Sequence, residues 1–422
     1  MRKAFILLTF TFLLLTFTAC NNESTYKPDV WDGTVASDFS GGNGTESKPY
    51  KISKASQLAF LAKSVNEGTN YSGKYFVLTN DIDLNGIEWT PIGNGINSFN
   101  GCFDGNGKTI KNLKITKRTT YMYEYPTGTD FAYCDVGLFA TVQDVQIKNL
   151  SIDNAEISIC SAETYVGICD TRAGILCGAV RTYDSSSKIS NIKIQNSKII
   201  TNFQTRPGIV TLRIGGAIGN IYSTETTTTD INRLETNIEI SLEHDKNIDQ
   251  NVGSIIGYSY MLGAFNVEDC VSYLDLNLSE THYYYTLAKN SFGTIGKSTA
   301  SRHPFSVKNI FSKITINKQF DDRPRDYPPA FVANVILGDA YYYAKEVYPD
   351  AVGYKFENVF GCVELIDNEN NEKSIFSTTL YELPLGPDFS QINCEGCESL
   401  PQNHGFDKKI WDLSDLSHPK LK

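Results

Sequence analysis

Past residue 100 the chain falls into a rhythm of short apolar runs. The pattern apolar-x-Asn-apolar-x-apolar fills residues 110–115, 147–152 and 189–194, and related runs begin at Ile231, Val267, Val307 and Phe356. Each is rich in β-branched residues and alternates apolar with polar, as a strand with one buried face does. Gly-led apolar stretches stand between the runs, starting at Gly137, Gly174, Gly216, Gly253 and Gly293, 37 to 42 residues apart. Within one unit, residues 138–142, 147–152 and 156–159 make three strand-like pieces. About three short strands per unit is the size of one lap of a parallel β-helix. The pattern therefore predicts an all-β solenoid.

Particular residues fit such a spiral. Glycine at each unit start is expected to admit positive φ and a tight turn beside its neighbour. Asn112, Asn149, Asn191, Asn309 and Asn358 tolerate the left-handed conformation, and their amides can donate and accept along a stack. Arg233 and Asp269 hold the matching places in two units, and Arg233 is expected to interrupt that ladder. A connecting segment of variable length joins each unit to the next. If every unit is one lap, these segments leave from one corner and line one edge. The open ends need covering. Ala55, Leu58, Leu61, Ala62 and Val65 follow helical spacing and Gly68 stops the run, so residues 54–67 predict a helical N-terminal cap. Residues 363–422 lose the repeat and predict an irregular C-terminal cap.

The start of the chain reads as an address. Arg2 and Lys3 precede an apolar run over residues 4–19, which is too short for an ordinary membrane span. Leu15-Thr16-Phe17-Thr18-Ala19-Cys20 resembles a bacterial lipoprotein signal cleaved before the cysteine. The resemblance implies that Cys20 is lipidated and tethers the protein to a membrane of the cell envelope. The predicted layout is a signal over 1–19, a tether over 20–30, an N-terminal cap and first coil over 31–100, repeats over 101–362 and a C-terminal cap over 363–422.

A longer resemblance follows. Trp31-Asp32-Gly33, Gly44-Thr45-Glu46, Pro49-Tyr50-Lys51-Ile52-Ser53 and Gln57-Leu58-Ala59-Phe60-Leu61-Ala62 come in order. The series continues with residues 71–84, Trp89-Thr90-Pro91-Ile92-Gly93, residues 99–107 and Gly137-Leu138-Phe139. This looks like the GLUG-motif proteins, common as surface lipoproteins of gut Bacteroidota. The resemblance is strong over 31–115 and periodic to about 362; residues 411–413 and 419–421 also resemble the usual ending. It implies a right-handed parallel β-helix on the outer membrane, surface-exposed and often linked to adhesion, with no defined catalytic set. GLUG repeats also accompany IgA-specific metalloendopeptidases, which need a His-Glu-x-x-His helix. No His-Glu pair occurs in this chain.

Composition narrows the partners. The 422 residues carry a formal charge of −10, which argues against a nucleic-acid partner. No cofactor is called for. After Cys20 the chain has Cys102, Cys134, Cys160, Cys169, Cys177, Cys270, Cys362, Cys394 and Cys397, an odd set. A pair among Cys160, Cys169 and Cys177 is placed to bridge an insertion. Cys394 and Cys397 have Cys-x-x-Cys spacing, but His404 alone does not complete a zinc site. Asp81 and Asp83 share one face of a strand. They suit calcium, acid–base work or backbone capping, and the family resemblance favours the last. Asp104-Gly105-Asn106-Gly107 reads as a tight turn.

The variable segments are the leading binding candidates. Residues 119–133 carry Tyr121, Tyr123 and Tyr125; 281–285 carry His282, Tyr283, Tyr284 and Tyr285; 340–354 carry Tyr341, Tyr342 and Tyr343. Tyrosine offers an apolar face and a hydroxyl, which suits sugar rings and protein surfaces. The same rings also suit packing of the insertions onto the spiral. The leading expectation is a non-catalytic adhesin, binding a glycan or protein through stacked Tyr-rich loops. The alternatives are a polysaccharide-degrading β-helix enzyme, marked by clustered carboxylates in a groove, and a structural or fimbria-like surface component.

Overall fold

The computed structural model describes residues 29–117, 121–124, 130–160, 168–203, 210–244, 248–278, 290–300, 303, 305–318, 331–333, 337–342, 354–367, 372–376, 399 and 405–422. Strands from successive units stack in parallel into two large sheets, of 14 and 11 strands, called sheets I and II here. This is the expected parallel β-solenoid. One lap runs Asp130–Val136 and Phe139–Gln143 in sheet II, then Gln146–Asp153 and Glu156–Cys160 in sheet I. The next runs Ile168–Gly174 and Cys177–Thr182, then Ser187–Phe203. Register holds from lap to lap: Ile147, Ile189, Ile231, Val267, Val307 and Phe356 stand in one column. One continuous apolar core runs from Trp31 to Val363.

Sheet II differs from expectation in one respect. A strand precedes each Gly-led stretch, as at Asp130–Val136, Ile168–Gly174 and Val210–Gly215, so the glycine bends sheet II and does not begin a lap. Gly137, Gly174, Gly216 and Gly253 do not take positive φ. Close approach requires them instead. A Cβ on Gly137 would strike the carbonyl oxygen of Gly174, and one on Gly216 that of Ser254, each in the next lap.

The Asn ladder forms, with one reassignment. Asn149, Asn191, Arg233, Asp269, Asn309 and Asn358 all have φ between 52° and 57°. Asn191 Nδ2 donates to Asn149 Oδ1 at 2.8 Å, and Asn149 Nδ2 to Asp104 at 3.0 Å. A second run links Asn358 to Asn309 and Asn309 to Asp269, so the two runs lie on either side of Arg233. Asn112 belongs to another corner. Its partner is Asn154, whose Nδ2 donates to Asn112 Oδ1 at 2.7 Å. Asp104–Gly107 is not a chain reversal: it stays within Cys102–Lys111 as an irregularity where Lys148 and Leu150 pair with Asp104 and Lys108.

The ends are closed differently. At the N-terminal end, Ala55–Asn66 is the expected helix and buries Leu58, Leu61, Ala62 and Val65 in the core. It stops at Gly68, φ +108°, where the Gly68 amide donates to Val65 O and the Thr69 amide to Ser64 O, the Schellman pattern. Phe76, Phe99 and Phe139 carry ring contacts of 5.4–5.6 Å from this region into the repeats. At the other end, Glu372–Phe376 pairs antiparallel with Tyr354–Asp367. The chain then finishes on the side of sheet I. Phe406, Trp411 and Leu421 bury against Val271 and Phe311, and Tyr273 Oη donates to Pro419 O at 3.1 Å. Glu235, 1% exposed, accepts from the Leu421 amide and lies 3.3 Å from Lys193 Nζ.

Candidate functional site

The strand order settles where the variable segments leave. The connections after Ile115, Cys160, Phe203, His244, Leu278 and Lys318 all pass from sheet I to sheet II. Residues 118–120, 125–129 and 281–285 lie outside the described residues. The third expected segment, 340–354, does not follow a strand of sheet I: Leu337–Tyr342 belongs to sheet II and Tyr354–Asp367 to sheet I. Tyr341 and Tyr342 are strand residues, opposite Thr299 and Ala300. Tyr121 and Tyr123 lie in Tyr121–Glu124, a strand antiparallel to Asp130–Val136. Cys20, Tyr125, His282, Tyr283, Tyr284, Tyr285, Tyr343, Cys394, Cys397 and His404 lie outside the described residues.

A groove of about 620 Å³ runs across the laps at the sheet I corner that holds Asn112. Asn85, Asn112, Asn154 and Asn196 line it in left-handed conformation, and Asn237 continues the row. Their amides are committed along the stack: Asn112 Nδ2 donates to Asp83 at 2.7 Å, and Asn196 Nδ2 to Asp153 at 2.8 Å. Asp83 also accepts from the Asn85 amide, and Asp81 from the Thr109 amide. Both aspartates thus cap polar groups, the role that the family resemblance favours. Beyond the corner, Lys114 begins an outward column that continues in register through Glu156, Lys198, Glu239 and Asp275. Lys198 Nζ lies 3.2 Å from Glu156. The Asp275 carboxyl is held above its ordinary pKa, first by desolvation and then by repulsion from Glu239. Laps stack about 4.8 Å apart, so the groove is an open polar track suited to an extended molecule lying along the spiral.

Sheet II carries a feature that sequence reading passed over. Tyr222 and Tyr260, in neighbouring laps, stack with ring centroids 5.6 Å apart and planes 3° from parallel. Tyr183 meets Tyr222 edge-on at 5.4 Å. The signal lay in the second glycine of each unit. The third residue after Gly178, Gly219, Gly257 and Gly296 is Arg181, Tyr222, Tyr260 and Thr299, one column of the sheet. Cys177 is a buried free thiol and does not bridge to Cys160 or Cys169; burial pushes its pKa up. Among the described residues no group of three metal-ligating side chains occurs, and no helix is long and apolar enough to cross a membrane.

No family model matches the chain, and no solved structure matches it. Two curated relatives share part of it. One, from Evansella cellulosilytica, bears a name describing a Gly-rich membrane protein and is 32% identical over 136 residues, 31% of this chain and 14% of that protein. The other, halomucin of Haloquadratum walsbyi, is 30% identical over 140 residues, 30% of this chain and 1% of that protein. The matched stretches are thus a small part of either relative's length.

Proposed function

We propose that this chain is a surface lipoprotein of the GLUG-motif type, anchored through Cys20 to the outer membrane, whose solenoid binds an extended glycan without catalysis. The observation that carries the reading is the groove at Asn112, Asn154 and Asn196. Beside the asparagine stack it presents the ammonium groups of Lys114 and Lys198 and the carboxylates of Glu156, Glu239 and Asp275 in a row, the mixture of donors and acceptors that hydroxyl-rich chains satisfy. A relative named as a membrane protein supports the envelope setting.

Glycan-array binding by the soluble protein from Asn21 onward tests it. The expected result is retention of one class of polysaccharide, weakened about tenfold in a Lys198→Ala/Glu239→Gln variant, the scale of one or two lost hydrogen bonds. Equal retention by that variant, with loss on changing Tyr283, Tyr284 and Tyr285 to Ala, would move the contact to the loops. A blank array would reject glycan binding. A second reading, a glycoside hydrolase, draws on one observation: Asp275, with its raised pKa, stands beside Glu239 in the groove. Release of reducing ends by wild type and not by Asp275→Asn would select it.

A further inference from the structure

The sheet I groove is uneven along its length. Lys114, Glu156, Lys198, Glu239 and Asp275 stand in register on five successive laps, about 19 Å from first to last at the ordinary strand spacing. The middle of this column is neutral. Lys198 Nζ lies 3.2 Å from Glu156, and the two side chains keep 43% and 39% of their surface open. The far end carries charge that nothing balances. Glu239 and Asp275 are exposed neighbours on adjacent laps. Asn277 Nδ2 at 2.8 Å and Ser241 Oγ at 3.1 Å donate to Glu239 Oε1 and hold it in place. The groups that act on the Asp275 carboxyl are Glu239, Glu364 and the Thr315 hydroxyl, none of them a cation. Among the described residues neither carboxylate forms an ion pair with lysine or arginine.

Like charges directly opposite one another on paired strands are destabilising. Here that cost falls in an open groove of about 620 Å³, where a ligand has room to enter and both carboxylates are reachable. A calcium ion is poorly served, since it takes about six to eight oxygen ligands and no three metal-ligating side chains converge among the described residues. An ammonium group asks for less: it brings three donors and needs acceptors only. Carried on a sugar ring, it would meet the two carboxylates while neighbouring hydroxyls reach the Lys198–Glu156 pair. A lysine-rich peptide brings the same charge on a long stem, whose ordering costs rotamer entropy. Nor does the groove offer such a peptide a strand to pair with, since its strands are already paired lap to lap.

We infer that the groove selects a polysaccharide of amino sugars whose amines are free, one ammonium seating between Glu239 and Asp275. The inference rests on the glycan reading above and names the class of sugar. Calorimetric titration of the soluble protein from Asn21 onward compares β-1,4-linked glucosamine oligomers with the fully N-acetylated oligomers, which share the backbone and lack the charge. The free-amine form is expected to bind about tenfold more tightly, the scale of a charge-assisted hydrogen bond, with an advantage that shrinks as salt is added. A Glu239→Gln/Asp275→Asn variant should bring the two forms level. Both residues are exposed, and a circular dichroism melt checks that the variant folds; the wild-type comparison decides the matter alone if it does not. Equal affinity for the two forms, tighter binding of the acetylated form, binding of neither, tighter binding of tetralysine, or an undiminished preference in the folded variant would overturn the assignment. Any of these results beside a neutral polysaccharide retained on the array rejects free amines and spares the glycan reading; a blank array with binding of neither oligomer rejects both.

Discussion

Gly219 shows how a single position is fixed by its neighbours and not by its own dihedral angles. Its φ is ordinary, yet a Cβ there would meet the amide nitrogen of Ala173 at 2.5 Å and Gly178 O at 2.6 Å. Gly219→Ala must therefore push two laps apart, and the expected loss is about 1–3 kcal/mol, the usual range for overpacking, read by chemical denaturation. The asparagines follow the opposite rule. Asn149 and Asn191 sit in left-handed conformation because their short amides tolerate it and bond along the stack. That role was readable from the repeat. Asn112 was harder, since it precedes an apolar run of the same form as Asn149 yet occupies the next corner, beside Asn154. Local pattern cannot separate two corners that ask for the same residue.

Among the elements, the N-terminal helix was fully visible in the sequence, because a 3.6-residue apolar stripe ending in Gly has few other readings. The C-terminal tail was not. Its strands, Trp411–Asp412 and Lys420–Leu421, are two residues each, and Tyr273 lies 146 positions before its partner Pro419. No local period records such a contact. The tail covers Val271 and Phe311, which point away from the spiral's own core. Trp411→Ala should cost about 3–5 kcal/mol, the range for removing a large buried ring. A differential scan should show the lower melting temperature, and binding of a hydrophobic dye should rise as the Val271–Phe311 patch opens. Unchanged dye binding would mean that the tail adds little to that face.

Across the whole molecule, the repeat length and lap register were legible because Gly and Asn recur in fixed relation to the apolar runs. The groove was not. It arises where side chains from several laps converge, as Lys114, Glu156 and Lys198 do, and one unit alone does not reveal that convergence. Stacked laps contact chiefly their neighbours, so removing residues 137–173, which joins Val136 to Gly174, should leave a shorter solenoid that still unfolds cooperatively. Removing residues 138–149 takes away only part of a lap and should abolish cooperative unfolding. Circular dichroism melts compare the two, and equal behaviour would contradict a lap-by-lap assembly.

The tail has a mechanical consequence. Leu421 is bound to Glu235 and Lys193, the latter 228 positions earlier in the chain. A pull on Lys422 therefore enters midway along the stack, not at its last coil. The short Trp411–Leu421 hairpin is then expected to peel away, bond after bond, before tension travels to the terminal turn of the spiral, so that the tail yields first under load.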